Sequence, residues 1–360
     1  MDVNVDIEDI QVKSVYTKTA IPSTEYVANP YVGCPHGCQY CYASFMKRFT
    51  KHKEPWGTFV DIKYWKNNLP PPKECHTLMI SSVTDPYNPL EEKYKRTQTI
   101  LKDLINHQRN KDISLLIITK SNLICRDIPL LKKFKRIPKV AFSINTLNED
   151  FKMDMDNAVS IDKRLEAMKT LYENGIKTIC FISPIFPEIT DAISIIKKVK
   201  PFVHYIWLEN LQLRGDYKQR ILNYIQFNYP KFLPIYEQLY KGNMKNAKNF
   251  RNEYWTNYWL KVQNYYITKS TNVSIGTTTT KNKNNHEKNN NKTLKDKEKG
   301  KEGKEGKEEG KGNKKEKEQK EMKKEKENNK SNIKKESNIN NNSGGKITRS
   351  KSINIKKKPY

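Results

Sequence analysis

Three cysteines in one short stretch are the residues best suited to chemistry in this 360-residue chain. Cys34, Cys38 and Cys41 have the spacing Cys-x3-Cys-x2-Cys, and Gly33 and Gly37 allow the tight backbone that a loop around a cluster needs. Thiolates are soft ligands that suit iron–sulfur clusters, and three of them leave one iron of a [4Fe–4S] cluster open to a non-protein ligand. The spacing therefore predicts a cluster with one open iron.

Zinc is the alternative metal for this loop. His36 would complete a Cys3His set, which fits tetrahedral zinc. Zinc sites usually pair their ligands across two separated turns, and no second Cys-x2-Cys or His pair follows in the sequence. The pattern favours an iron–sulfur cluster and leaves zinc as the second hypothesis.

Short apolar segments rich in β-branched residues alternate with segments of helical spacing. The predicted strands are Glu25–Tyr31, Thr77–Ser82, Ile113–Thr119, Val140–Asn145, Ile176–Ser183 and Val203–Glu209. The predicted helices are Glu91–His107, Ile161–Asn174 with Ser160 and Gly175 as caps, and Glu188–Val199. This alternation implies parallel strands with right-handed crossovers, and ligands collect at the C-terminal ends of such strands. The predicted fold is α/β, a partial (β/α)6 TIM-like barrel.

Changes in composition divide the chain into four predicted segments. Residues 1–20 form an N-terminal extension, residues 21–215 form the barrel with the cysteine loop, and residues 216–266 form helices that close one side of the sheet. Residues 267–360 are rich in Lys, Glu and Asn and have few large apolar residues, so we expect a disordered low-complexity tail.

The chain is strongly basic, with a net charge of +27, and residues 281–360 hold 27 Lys and Arg against 13 Asp and Glu. A basic surface favours polyanions, nucleic acid above all, although coding rich in Lys and Asn would produce the same balance. No run of 18 apolar residues is present, and the acidic N-terminus does not resemble a signal peptide. Six cysteines without a secretion signal indicate a reducing compartment. We expect a cytoplasmic protein without a membrane partner.

The cysteine spacing, with Tyr40 before the last cysteine, resembles the hallmark of the radical S-adenosylmethionine (SAM) superfamily. Further blocks resemble the spore-photoproduct-lyase-like branch in the same order, namely SSVTDPYNPLEEKYKRTQ, ITKSNLICRDIPLL, VAFSINTLNEDF, SIDKRLEAMKTLYENGIKT and FISPIFPEITD. The stretch NPYVGCPHGCQYCYASFMKRFTKHKEPWG is most similar to the group called radical SAM mobile pair protein B. The resemblance covers residues 20–265.

The resemblance implies that Cys34, Cys38 and Cys41 bind a [4Fe–4S] cluster whose fourth iron binds SAM. Reductive cleavage of SAM would then give a 5′-deoxyadenosyl radical that abstracts hydrogen from a substrate, with a reducing electron donor of flavodoxin or ferredoxin type. Nucleic acid is the leading substrate, and a peptide, a protein or a small metabolite is the alternative. A second radical SAM protein encoded nearby is a candidate partner. The alternative of another class is a non-catalytic, zinc-containing nucleic-acid-binding protein.

The residues that the resemblance assigns to SAM follow predicted strands or flank the last cysteine. They are Tyr40, Tyr42, Thr84, Asp85, Lys120, Ser143 and Asn145. Tyr40 is expected near the adenine, and Thr84 and Asp85 near the methionine amino group, because acceptor oxygens suit an ammonium donor. Lys120, Ser143 and Asn145 match positions that contact the carboxylate and ribose of SAM. Arg164 also recurs in the branch, and on a helix it would equally form a salt bridge.

One position departs from the branch. Spore photoproduct lyase carries a hydrogen-donor cysteine where this chain has Ser82, and a serine O–H bond is too strong to return a hydrogen atom to a substrate radical. Cys125 and Cys180 are the remaining candidate donors or extra ligands, although buried free cysteines are common core residues. Cys75 precedes the second predicted strand and is expected far from the site. The catalytic residues therefore stay unassigned.

Overall fold

The computed structural model describes residues 4–107, 112–240, 245–267, 274–277 and 351–354. Contacts divide the chain into one unit of Met1–Thr280 with Ser350–Tyr360 and a second unit, Lys281–Arg349, which lies outside the described residues. All strands and helices of the described ranges belong to the first unit. No helix in these ranges is long and apolar enough to cross a membrane.

The described strands form two sheets. In chain order they are β1 (Asn4–Gln11), β2 (Tyr16–Lys18), β3 (Tyr26–Ala28), β4 (Tyr31–Val32), β5 (Phe59–Tyr64), β6 (Thr77–Ile80), β7 (Ser114–Thr119), β8 (Lys139–Ser143), β9 (Lys177–Ile185), β10 (Tyr205–Asn210), β11 (Ser274–Thr277) and β12 (Lys351–Asn354). The larger sheet has eight strands in the order β11-β10-β9-β8-β7-β6-β3-β2. All its neighbours are parallel except β2, which is antiparallel to β3. The six predicted strands are β3 and β6 to β10, side by side, which confirms the partial (β/α)6 barrel.

Helices alternate with the parallel strands. They are α1 (Glu91–Tyr94), α2 (Arg96–Asn106), α3 (Ile128–Leu131), α4 (Glu149–Met155), α5 (Ile161–Glu173), α6 (Ala192–Val199), α7 (Tyr217–Asn228), α8 (Leu233–Tyr240) and α9 (Lys245–Ile267). Short 3-10 helices span Tyr42–Phe49, Asn122–Asp127, Lys200–Phe202 and Pro230–Phe232. The two predicted caps of α5 are confirmed, since the Ser160 hydroxyl accepts from the Lys163 N–H and Gly175 has a φ of +77°.

Two predicted helices are shorter or divided. The helix expected over residues 91–107 is interrupted at Lys95, whose φ of +52° is incompatible with a continuous helix. The helix expected from Glu188 begins at Ala192, because the Asp191 carboxylate accepts from the Ser194 N–H and caps the helix there. The segment after the cysteine loop is a 3-10 helix, and Cys41 at its start provides no capping hydrogen bond.

The smaller sheet, in the order β12-β1-β5-β4, has no counterpart among the predicted strands. Residues 1–20, expected to be an extension, instead supply β1 to this sheet and β2 to the larger one. The first predicted strand is also divided between β3 in the larger sheet and β4 in the smaller one, with Pro30 between them. The smaller sheet therefore leads directly into the cysteine loop.

Two short strands lie in the segment predicted to be a disordered tail. β11 pairs in parallel with β10, and β12 pairs antiparallel with β1. Both occupy sheet edges, where unpaired backbone N–H and C=O groups accept a further strand of almost any composition. Beyond Ile267 at the end of α9, the rest of the predicted tail lies outside the described residues.

Side chains between the larger sheet and its helices form the main core. Ile117, Phe142, Met168 and Leu171 are fully buried there, and each such side chain contributes about 1.5–3 kcal/mol by leaving water. Helices α7 and α8 contribute to a second apolar cluster, in which Tyr236 is fully buried. Aromatic side chains of this region therefore pack into a core.

Candidate active site

The three cysteines lie on one loop between β4 and the 3-10 helix Tyr42–Phe49. Cys34, Cys38 and Cys41 are all half-buried free thiols. Among the described residues, no combination of three side chains from Cys34, Cys38, Cys41 and His36 has all its ligand atoms within 4.8 Å of one another. Sulfurs on one tetrahedral zinc would lie about 3.8 Å apart, given bonds of about 2.3 Å. These side chains are therefore not gathered around one point, as the ligands of a single zinc ion would be.

Glycines allow the smaller sheet to pack directly against this loop. Gly33 has a φ of +85°, and a Cβ atom there would lie 2.2 Å from the carbonyl oxygen of Phe59 in β5. Gly57 has a φ of +106°, and its Cβ would lie 3.0 Å from the Cα of Gly37. Gly37 itself has a φ of +55°. The tight backbone predicted around Gly33 and Gly37 is therefore present, and β5 supports it from outside the barrel.

Asp85, just after β6, is buried and accepts three hydrogen bonds from the protein. Its Oδ1 accepts from the Tyr87 N–H at 2.9 Å and from the Thr119 hydroxyl at 2.7 Å. Its Oδ2 accepts from the Lys120 N–H at 2.8 Å and lies 3.4 Å from Nδ1 of His36. These three donors and the nearby His36 ring leave the carboxylate little room to accept from a SAM ammonium group. In this structure Asp85 joins the ends of β6 and β7 to the cysteine loop.

His36, the fourth ligand of the zinc hypothesis, is held by contacts on two sides. It is 3% exposed, and its carbonyl oxygen accepts from the Asn157 N–H at 2.7 Å. Burial lowers the pKa of His36, so the imidazole is neutral at pH 7. Its contact with Asp85 gives the ring a structural role within the loop.

The segment after β6 is hydrogen-bonded to the cysteine loop at two further points. The Thr84 hydroxyl donates to the Gly33 carbonyl oxygen at 2.6 Å. The Tyr42 hydroxyl donates to the backbone carbonyl oxygen of Ser82. The side chain of Ser82 makes a longer contact, 3.4 Å, with Asn29. Thr84 and Tyr42 therefore brace the loop, whichever contacts they make with a cofactor.

Tyr40 links the loop to the other side of the barrel. Its hydroxyl donates to Asp156 at 3.1 Å, and its ring packs edge-on against Phe186 with centroids 5.6 Å apart. The Lys120 ammonium nitrogen lies 5.7 Å from the centre of the Tyr40 ring. The loop and the end of β7 therefore meet, as the predicted pocket requires.

A buried ion pair lies behind Tyr40. Arg164, which is 1% exposed, donates to Asp156 at 2.6 Å and to the Ser143 carbonyl oxygen at 3.3 Å. Burial alone would raise the pKa of Asp156, but the charges of Arg164 and Lys120 outweigh it and hold that pKa below its usual value. Arg164 thus forms the salt bridge that was one of its two expected roles. Asp156 was not foreseen, since no local motif marks it.

Several buried polar atoms at the C-terminal ends of the strands have no hydrogen-bond partner. They are Ser81 Oγ after β6, Asn145 Nδ2 after β8 and Asn210 Oδ1 at the end of β10. A buried polar atom without a partner costs about 1–3 kcal/mol, so such atoms usually face a ligand or water. Their position at this edge fits a polar cofactor such as SAM, and Ser143, which is also buried, ends β8 beside Asn145.

Glu209 on β10 is a further polar group that the sequence analysis did not single out. It accepts from the Ser183 hydroxyl of β9 at 2.5 Å. Partial burial raises the pKa of Glu209, while the Ser183 hydrogen bond and the charge of Lys120 oppose that rise. In the sequence, the one signal that could have identified Glu209 was its position at the end of a predicted strand.

The other three cysteines lie apart from the cysteine loop. Cys180 is fully buried in the main core, and the Cys125 sulfur lies 3.9 Å from the Ala167 carbonyl oxygen on α5. Cys75 is buried before β6, with its sulfur 3.8 Å from the Thr77 carbonyl oxygen. These contacts support packing roles for all three.

A loop of three thiols beside the C-terminal ends of six parallel strands defines a class of metal-dependent radical enzymes. The family described as the Radical SAM superfamily matches residues 28–197. The chain belongs to this superfamily and is an enzyme that uses a [4Fe–4S] cluster and SAM.

Two relatives and one solved structure are similar to this chain. The uncharacterized protein MJ0683 of Methanocaldococcus jannaschii is 39% identical over 240 residues, which cover 65% of this chain and 88% of that protein. The uncharacterized protein ORF301 of Acidianus two-tailed virus is 30% identical over 186 residues, 46% of this chain and 57% of the relative. Spore photoproduct lyase complexed with dinucleoside spore photoproduct has a similar fold, with a TM-score of 0.51 and 13% identity over 76% of this chain and 82% of that chain.

Proposed function

We propose that Cys34, Cys38 and Cys41 hold the cluster, that polar groups at the strand ends hold SAM, and that the enzyme abstracts hydrogen from a nucleic acid. Cluster and SAM, when bound, supply a 5′-deoxyadenosyl radical. The substrate assignment depends on one observation, an exposed row of aromatic and basic side chains that begins directly after Cys41. The residues of the chain position the cofactors and exclude water from the barrel.

The proposed SAM pocket uses the polar groups at the ends of β6, β7, β8 and β10. The Lys120 ammonium group suits the carboxylate of SAM, and Asn145 Nδ2 and Asn210 Oδ1 offer a donor and an acceptor to its hydroxyl or amino groups. Tyr40 offers an aromatic ring for the adenine. Asp85 acts indirectly in this proposal, by fixing the end of β7 and thus the origin of the Lys120 side chain.

Replacement of Asn145 by leucine tests this pocket, because the two side chains have similar size. The apo protein should be as stable as the wild type or more stable, since a buried donor without a partner is removed. SAM affinity should fall at least about tenfold, the equivalent of ~1.4 kcal/mol for one lost hydrogen bond. Denaturant unfolding and equilibrium dialysis with SAM measure the two effects. Unchanged SAM affinity would exclude Asn145 from the pocket.

The row of side chains, named here the aromatic ridge, consists of Tyr42, Phe45, Arg48 and Phe49 on the 3-10 helix. Their three aromatic side chains are 58%, 45% and 65% exposed. The Arg48 guanidinium carbon lies 5.6 Å from the centre of the Phe45 ring and 4.6 Å from that of Phe49. The bond from Tyr42 to Ser82 places the start of the ridge at the C-terminal end of β6.

This combination matches the chemistry of single-stranded nucleic acid. Exposed rings offer stacking surfaces worth about 1–3 kcal/mol per base, and guanidinium groups add contacts to bases and phosphates. Lys47, Lys51 and Lys53 add positive charge, and no acidic residue occurs from Tyr42 until Glu54. A nucleic acid on the ridge would lie next to the cysteine loop, where the radical forms. The ridge therefore supports a nucleic acid over a metabolite.

Replacement of Phe45 and Phe49 by alanine should lower the affinity for a fluorescently labelled single-stranded oligonucleotide at least about tenfold, as expected when two stacked bases are lost. Anisotropy titration at fixed salt measures this. Phe227→Ala is the matched control, because Phe227 is 86% exposed on α7 and has no cation over its ring in the described structure. Phe227→Ala should leave binding unchanged.

An abasic oligonucleotide of the same length separates stacking from charge. It should bind the wild type about as weakly as the intact oligonucleotide binds the double variant. Equal binding of intact and abasic chains would mean that phosphate contacts alone hold the nucleic acid. Stronger competition by an acidic peptide than by the oligonucleotide would favour a peptide substrate instead.

A further inference from the structure

A second group of metal-ligand side chains lies on the smaller sheet. Glu8 on β1, Asp61 on β5 and His52, from the loop before β5, bring one ligand atom each within 4.8 Å of one another. In the described ranges, no other group of three or more His, Cys, Asp or Glu side chains does so. Three separate segments of the chain contribute to the group, so its assembly is a product of the tertiary fold.

Two carboxylates of this group face each other across a strand pair. β1 and β5 run parallel, and Glu8 is the register partner of Asp61. Like charges directly opposite each other destabilise a sheet, and the Asp61 side chain is only 9% exposed. A bound cation would relieve both this repulsion and the cost of burying the Asp61 carboxylate.

His52 is oriented as a metal ligand would be. Its side chain is 7% exposed, and its ring stacks on Phe59 with centroids 3.9 Å apart. Nε2 lies 2.6 Å from the Asp61 carboxylate, whereas Nδ1 lies 3.2 Å from Glu54. Histidine ligands typically donate their second ring N–H to a carboxylate, which fixes the ring and directs the other nitrogen to the metal. Glu54 is placed to accept from Nδ1–H, and a bound ion would replace the present hydrogen bond between Nε2 and Asp61, with release of the Nε2 proton.

The Asp61 carboxylate also has capacity for another ligand. His52 is its hydrogen-bond partner through Oδ1, and no described residue hydrogen-bonds to Oδ2. One imidazole and two carboxylates form a donor set that suits a divalent ion such as Mn²⁺, Fe²⁺ or Zn²⁺, with water completing the coordination. Thiolate-preferring ions have no soft ligand here.

We propose that Glu8, His52 and Asp61 bind a divalent metal ion that fastens the loop before β5 to β1. This loop contains Gly57, which packs against Gly37 of the cysteine loop. The ion therefore has a structural role, in which it holds the smaller sheet and the support of the cysteine loop in place. It is distinct from the cluster and takes no part in electron transfer.

Titration of the reconstituted full-length enzyme with Mn²⁺ tests the site under anaerobic conditions. The electron paramagnetic resonance signal of free Mn²⁺ counts the unbound ion without interference from the iron content. The wild type should remove one equivalent of Mn²⁺. Glu8→Gln should weaken Mn²⁺ binding at least tenfold, and so should Asp61→Asn. Asp9→Asn, which removes the same charge one position further along β1, should bind Mn²⁺ like the wild type.

Other results would overturn the proposal. The proposal is wrong if the wild type binds no Mn²⁺, or if Glu8→Gln binds Mn²⁺ as tightly as the wild type. A variant with Cys34, Cys38 and Cys41 all replaced by alanine should still take up one Mn²⁺, and loss of binding there would place the ion at the cysteine loop instead. Because Glu8 is exposed, its variant should fold even if Asp61→Asn does not. Mn²⁺ should also raise the Tm of the wild type by more than that of Glu8→Gln at the same Mn²⁺ concentration.

Discussion

Replacement of Cys38 by alanine should abolish both the cluster and the cleavage of SAM. The two remaining thiolates cannot hold three irons of a cubane cluster. The whole cluster is therefore lost, including the open iron that binds SAM. After anaerobic reconstitution, the variant should contain almost no iron and should lack the broad visible absorbance of an iron–sulfur cluster. With a reductant and SAM, it should release no deoxyadenosine, whereas the wild type should release it readily.

Cys125→Ser is the matched control for this result. Cys125 is also a free cysteine, but its sulfur packs against α5 rather than in the cysteine loop. The serine variant should retain wild-type iron content and wild-type SAM cleavage. If both variants lose iron equally, the assignment of the ligands is wrong. If the wild type takes up zinc in preference to iron, the zinc hypothesis is favoured and the proposed activity fails.

Replacement of Asp156 by asparagine should lower the free energy of unfolding by about 3–5 kcal/mol, because the charge of Arg164 is then buried without a partner. The hydrogen bond from Tyr40 to Asp156 weakens at the same time. Denaturant unfolding of the apo protein, monitored by circular dichroism, measures this loss without a contribution from the cluster. The pair is nearly inaccessible to water, so the effect should persist at high salt.

A surface ion pair provides the comparison. Lys169 and Glu173 lie one helical turn apart on α5, with side chains 60% and 59% exposed. Glu173→Gln should therefore lower the free energy of unfolding by less than about 1 kcal/mol. In addition, the double replacement of Asp156 and Arg164 by Asn and Met should cost less than the sum of the two single changes. A loss of similar size for Asp156→Asn and Glu173→Gln would contradict the importance of the buried pair.

Most of the barrel could be predicted because its signals are local. Each parallel strand is a short apolar run bounded by polar residues, and Ser160 and Gly175 mark the ends of α5. The smaller sheet was missed for a physical reason. β5 pairs with β1 across about fifty residues of sequence and contains the buried Asp61, which interrupts its apolar pattern. No local pattern identifies a partner strand so far away.

In the candidate site, too, local sequence signals identified some residues, and only the structure revealed others. The cysteines could be recognised because one loop carries all three, and strand ends located Lys120 and Asn145. The orientation of side chains could not be read in this way. Asp85 has the residue type expected for an ammonium contact, yet the fold surrounds its carboxylate with protein donors. Asp156 reaches the site from the segment after α4, so only the three-dimensional structure relates it to Arg164 and Tyr40.

The contact between Tyr42 and Ser82 tolerates a change of side chain at position 82. The tyrosine hydroxyl donates to the backbone carbonyl of Ser82, so the bond is independent of the side chain at that position. Serine and cysteine can therefore be exchanged there without loss of the bond between the cysteine loop and β6. A cysteine at position 82 would therefore offer a hydrogen-atom donor while the contact between Tyr42 and the segment after β6 stays in place.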